Sequence, residues 1–134
     1  MRQLHLFKGQ KSDQPKPPIE FKLHCALADA LRMGRVNEGW FWSHIPAGEY
    51  RTPATAGRLL RMGVRRGLPD FIFIGPGKFA FLELKRPGGK MSVEQFDVMK
   101  HIIRAGGDFL CTDDVEDAIG WLADMGIVRV RVSA

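Results

Sequence analysis

The chain has 134 residues, enough for one domain with a real core, and ordinary apolar and charged fractions of 45% and 26%. Lys and Arg exceed Asp and Glu by 20 to 15, giving a formal charge of +5 and a pI near 9.6, an excess that favours a polyanionic partner. No signal peptide, apolar run of membrane-spanning length or Gly-rich phosphate loop is visible, so a soluble intracellular protein that is not an NTPase is expected.

Residues 1–17, with Lys8, Lys11, Lys16 and a Pro-Lys-Pro-Pro segment, read as a flexible basic arm, and residues 18–134 as a single domain. Pro18 suits the first turn of a helix that runs to Met33 and stops at Gly34. Ile19, Leu23, Ala26, Leu27, Ala30 and Leu31 form its expected buried stripe. Glu20 and His24 lie one turn apart along a border of that stripe. Glu20 has two readings there, an additional metal ligand and a first-turn acid that complements the helix dipole.

The alternating run Trp40 to Pro46 predicts the first strand. His44 within it reads equally as a packed histidine, a phosphate contact and a helper to a site. A loop follows, and Thr52-Pro53 opens a short helix ending near Met62. Arg58, Arg61, Arg65 and Arg66, with Arg51 upstream, make this the most basic part of the chain. Arginine forks suit phosphate oxygens, so the segment is a candidate for holding nucleic-acid backbone; a solvated basic face is the alternative.

Two apolar runs, Asp70 to Ile74 and Phe79 to Lys85, flank Gly75-Pro76-Gly77-Lys78 and predict an antiparallel hairpin. With Pro76 and Gly77 as its centre, Asp70 falls opposite Glu83, and Lys85 shares their face. A Pro-Gly centre suits a type II turn better than the primed turns hairpins prefer, and a slip of one residue would part the acids. Two carboxylates about 5 Å apart repel by about 3 kcal/mol at an effective dielectric of 20, so a positive charge belongs between them. Carboxylate oxygens, backbone carbonyls and water suit magnesium or manganese better than zinc. The same trio also reads as a solvated surface ion cluster.

Beyond a basic loop at 86–90, Ser92-Val93-Glu94-Gln95 has the pattern of a capping box. It opens a helix to about Arg104 that is expected to bury Phe96, Met99, Ile102 and Ile103 and to end at Gly106-Gly107. Asp108 to Cys111 reads as a strand. Asp113 or Asp114 caps a last helix, ended by Gly126, and Ile127 to Val132 alternates as an edge strand would. Cys25 and Cys111, with no CxxC pairing, read as buried free thiols. The element order gives an α/β fold, a small mixed sheet flanked by helices.

Gly67-Leu68-Pro69-Asp70, Glu83-Leu84-Lys85 and Gln95, preceded by a helical Glu20, resemble the PD-(D/E)XK nuclease superfamily. The run Ala56 to Gly67 makes the chain most similar to stand-alone VRR-NUC domains of phages and bacteria, over roughly Pro18 to Leu110. The resemblance implies a restriction-endonuclease-like core and Mg2+- or Mn2+-dependent phosphodiester hydrolysis. Asp70, Glu83 and the carbonyl of Leu84 would hold the metal, Lys85 would orient or help deprotonate the attacking water, Glu20 would bind metal or water, and Gln95 would support the site. It further implies a homodimer cutting branched DNA such as four-way (Holliday) junctions. A flap or single-strand-end nuclease and a non-catalytic nucleic-acid-binding module with the same fold are the alternatives. The residues name no delivering partner, helicase or otherwise.

Overall fold

A computed structural model describes residues 18–46 and 51–129; the expected arm at 1–17, the loop residues 47–50 and the tail from 130 onward lie outside them. The elements follow the expected order: α1 (Pro18–Ala30), β1 (Phe41–His44), α2 (Pro53–Arg61), β2 (Phe71–Gly75), β3 (Lys78–Leu84), α3 (Val93–Arg104), β4 (Asp108–Thr112) and α4 (Val115–Asp124). The strands form one four-stranded mixed sheet in chain order, antiparallel from β1 to β3 and parallel between β3 and β4. The parallel step uses α3 as the crossover that such a pair needs. The chain is therefore α/β, a mixed sheet flanked by helices. Among the described residues no helix is long and apolar enough to cross a membrane.

The hairpin register runs from Gly75↔Lys78 to Phe71↔Leu82, the one a Pro76-Gly77 centre requires. Gly77 takes φ +68, as the third residue of a type II turn does, so the slip that would part the acids does not occur. Alternation then sorts the side chains. Phe71, Phe73, Ala80, Leu82 and Leu84 share one face and are buried with Leu27, Leu31, Ala118 and Leu122 under α1 and α4. Each buried Phe or Leu stabilises the fold by roughly 1.5–3 kcal/mol. The opposite face carries Ile72, Phe79, Phe81 and Glu83, and α3 lies on that side.

Both helices beside the hairpin are rotated from their expected phase. On α1 the packed face runs through Leu23, His24, Leu27 and Leu31, while Ile19 and Ala26 are exposed. The stripe is thus centred nearer Glu20 and His24, and Cys25, on the far side, is exposed rather than buried. On α3 the buried residues are Val98 and Ile102; Phe96 and Ile103 are exposed at 48% and 54%. That rotation puts Gln95 in line with Val98, Met99 and Ile102, facing the sheet.

The first helix is α-helical to Ala30, widens into a π turn from Leu31 and leaves helical conformation at Met33 and Gly34, the latter at φ 78, where the stop was expected. That turn sends Val36 and Asn37 back beside Ile127 and Val128. The described part of the tail is correspondingly not an edge strand. Val128 makes an isolated bridge to Val36, and Asn37 N–H donates to Ile127 O at 2.8 Å, burying Ile127 and Val128 against the core.

Gly67 positions the segment leading into Asp70. At φ +88, a Cβ there would stand 2.5 Å from the Glu94 carbonyl oxygen at the start of α3. Gly67→Ala is therefore expected to cost at least about 2 kcal/mol, strain and clash adding, measured by urea unfolding; an effect below 0.5 kcal/mol, roughly the scatter of ordinary surface substitutions, would contradict this packing.

Candidate active site

The antiparallel ladder of β2 and β3 stops one pair short of the two acids, and Asp70 is held there by its backbone on both sides and by its carboxylate. Its N–H donates to Leu82 O at 3.1 Å, its carbonyl accepts from Ile45 N–H at 2.6 Å, and its carboxylate Oδ2 accepts Leu84 N–H at 2.8 Å. The side chain is thus pinned against the peptide that joins Glu83 to Leu84. Oδ1 accepts no hydrogen bond among the described residues.

Glu83, on the α3 side of β3, is 4% exposed. Its Oε2 accepts from Gln95 Nε2 at 2.8 Å and lies 3.2 Å from Lys85 Nζ. Its Oε1 is buried with no hydrogen-bond partner. Burial, then the neighbouring Asp70 charge, push the Glu83 carboxyl up from 4.5 to about 7, against the opposing pull of Lys85 and Gln95. Cys111, paired with Glu83 across β3 and β4, is half-buried, and its thiol is likewise pushed up by burial first and by Glu83 next.

Gln95 makes the capping contacts expected of it and a further hydrogen bond to Glu83. The capping box forms, with Gln95 N–H donating to Ser92 Oγ at 3.1 Å and Ser92 N–H to Gln95 Oε1 at 2.9 Å. The remaining amide nitrogen then points to Glu83, so one side chain starts α3 and supplies a donor to the site. Gln95→Glu separates the two roles, since a glutamate keeps the cap and loses the donor. It is expected to cost on the order of 2 kcal/mol at pH 8 and under about 1 kcal/mol at pH 5, where Glu83 keeps its proton, by denaturant unfolding at both pH values. Equal losses would mean that the contact with Glu83 contributes nothing.

On the α1 side the structure adds a residue that the sequence did not assign to a site. His24 Nε2 stands 3.3 Å from Asp70 Oδ2, with its side chain 16% exposed. The signal was its place one turn after Glu20 on the border of the α1 stripe, and the residue it meets could not be read there. His44 is half-buried, its Nδ1 bonds the Asp70 carbonyl at 2.8 Å, and its ring lies 5.2 Å from that of His24. Glu20 is half-buried on the same helical face, with no hydrogen bond or ion pair to Asp70, Glu83 or Lys85 among the described residues.

Arg58, Arg61, Arg65 and Arg66 are all exposed on α2 and the link to Asp70. Arg65 bonds Asp97 of α3 at 2.7 Å, a half-exposed pair that ties this link to α3 and adds little stability. Arg51 donates to Pro46 O at 2.6 Å, so its guanidinium is engaged with the end of the first strand's segment.

The buried Glu83 and the half-buried Asp70, with Lys85 between water and core, can accept a hard cation. No group of three or more His, Cys, Asp or Glu side chains is arranged as a metal cage among the described residues. The fit is of the kind magnesium tolerates, one or two carboxylates with the other positions left to water and substrate oxygens. Oε1 of Glu83, desolvated and unpartnered, is the group in the site that most needs a positive partner. Compared with family models, curated proteins and solved structures, the chain has no match in any of them.

Proposed function

We propose that the protein is a Mg2+- or Mn2+-dependent endodeoxyribonuclease of the VRR-NUC type, with a restriction-endonuclease-like core, acting as a homodimer on branched DNA such as four-way junctions. The observation that carries this reading is the unpartnered, buried Oε1 of Glu83 beside a second carboxylate, Asp70. Lys85 answers only Oε2, and leaving the other oxygen of a buried carboxyl unpartnered beside a second acid is costly; a protein that keeps such an arrangement has a use for it.

Asp70 and Glu83 would hold the ion, with Leu84 offering its carbonyl and the half-buried Glu20 of α1 as a further candidate ligand for metal or water. When bound, the ion lowers the pKa of attacking water and offsets charge developing on the phosphate. The protein's own residues do the rest. Lys85, held at Glu83 Oε2, keeps a fixed positive charge where the phosphate's negative charge grows, an interaction stronger at a site shielded from water. Gln95 and Lys85 both engage Glu83 Oε2, which leaves the buried Oε1 as the oxygen without a partner. The exposed arginines from Arg58 to Arg66 lead directly into Asp70 and supply donors for the flanking phosphates. Symmetric cutting of both strands at a junction calls for a second copy of the site.

The test is cleavage of labelled four-way junctions and matched linear duplex with Mg2+, with Mn2+ and with chelator. Paired symmetric nicks in the junction that vanish with chelator are expected. Equal cutting of plain duplex would sink the junction preference, and binding without cutting under every metal would leave a nucleic-acid-binding module.

A further inference from the structure

Asp70 is gripped from the α1 side by two imidazoles on separate elements, and neither contact is explained by packing alone. His44 Nδ1 lies 2.8 Å from a carbonyl oxygen, which can only accept, so His44 carries its proton on Nδ1. His24 presents Nε2 to a carboxylate oxygen, so the favourable tautomer carries its proton on Nε2. At 3.3 Å that nitrogen is buried without a formed hydrogen bond, and Asp70 Oδ2 is the acceptor facing it. A leucine would fill this place beside Phe71 without leaving a polar atom buried. Contacts of this kind are often long in the empty state of a site and tighten when the site is filled.

We propose that His24 is a positioning residue for Asp70: by donating Nε2–H to Oδ2 it sets the rotation of the carboxylate and leaves Oδ1 as the oxygen offered to a divalent cation. His44 and the Leu84 peptide hold the other ends of the same residue, so Asp70 is fixed at its carbonyl, its Oδ2 and its backbone N–H. The inference rests on the proposed metal-dependent function for its consequence, and on the His24–Asp70 geometry for its substance. Partners of this kind, bonded to a metal's carboxylate ligand, typically change metal affinity by about 10–100-fold when removed.

The experiment compares His24→Leu, which keeps the bulk, with His24→Gln, whose amide nitrogen can stand where Nε2 stands. Mn2+ affinity is read from the paramagnetic resonance of free ion, alongside the metal-free melting temperature. His24→Leu is expected to bind Mn2+ at least about tenfold more weakly than wild type, and His24→Gln within about threefold of it. Unchanged binding by His24→Leu, or equal loss in both variants, would overturn the inference. A wild type that binds no Mn2+ would instead overturn the proposed function. His24 would then be judged by the metal-free imidazole nitrogen spectrum. A proton on Nε2 whose resonance moves in Asp70→Asn upholds the contact, and an unmoved resonance overturns it.

Discussion

Replacing Asp70 by Asn is expected to lower Mg2+-dependent strand cleavage by at least about a thousandfold, roughly 4 kcal/mol of transition-state stabilisation, while leaving the fold in place. An asparagine is isosteric and its carbonyl oxygen can still accept Leu84 N–H, the bond that closes the end of the hairpin. What disappears is the charge next to Glu83. Since Asp70 is the second cause of the raised Glu83 pKa, the variant removes a repulsion as well as a ligand. Its metal-free unfolding free energy at pH 8 is therefore expected within about 1 kcal/mol of wild type. Single-turnover cleavage and urea unfolding on the same preparations check both halves. Cleavage within tenfold of wild type would remove Asp70 from the chemistry, whereas a large loss of stability would mean that it is mainly a structural acid.

Glu83→Gln addresses the other acid through stability. The Glu83 carboxyl is raised from 4.5 to about 7, so between those values the folded protein holds a proton that the unfolded chain has released. The stability it contributes is complete below pH 4.5 and is lost as pH rises through 7. At 1.36 kcal/mol per pH unit the change is on the order of 3 kcal/mol, or on the order of 10 °C in Tm for a domain of this size. Glutamine cannot ionise. The wild type, measured in chelator, is therefore expected to lose that much relative to Glu83→Gln between pH 4.5 and 8, over any constant offset from leaving Lys85 without its acid. A difference between the two proteins that stays flat across this range would show that Glu83 is ordinarily solvated. Mg2+ at pH 8 is expected to restore much of the loss to the wild type and none to the variant, because the ion supplies the charge that burial denies Glu83.

The sequence by itself determined the local structure, because local structure answers to neighbours along the chain. The Pro76-Gly77 turn set the hairpin register, Thr52-Pro53 and Ser92 to Gln95 set two helix starts, and alternation separated Phe71 and Leu82 from Ile72 and Phe81. Those rules already brought Asp70, Glu83 and Lys85 to one end of one hairpin, where Lys85 does lie against Glu83. Rotational phase was decided by tertiary structure. Apolar residues cover more than one side of α1 and α3, so periodicity admits several stripes, and the sheet buries Leu27 with Leu31 and Val98 with Ile102 while leaving Ile19, Phe96 and Ile103 outside.

That choice of phase aims His24 at Asp70 from one layer and Gln95 at Glu83 from the other. Only the packed structure could also show that the ladder stops before Asp70, freeing its carboxylate to bond Leu84 N–H, and that Glu83 is buried deeply enough to resist ionisation. Desolvation and contacts between distant segments belong to the assembled layers and have no period or motif to record them.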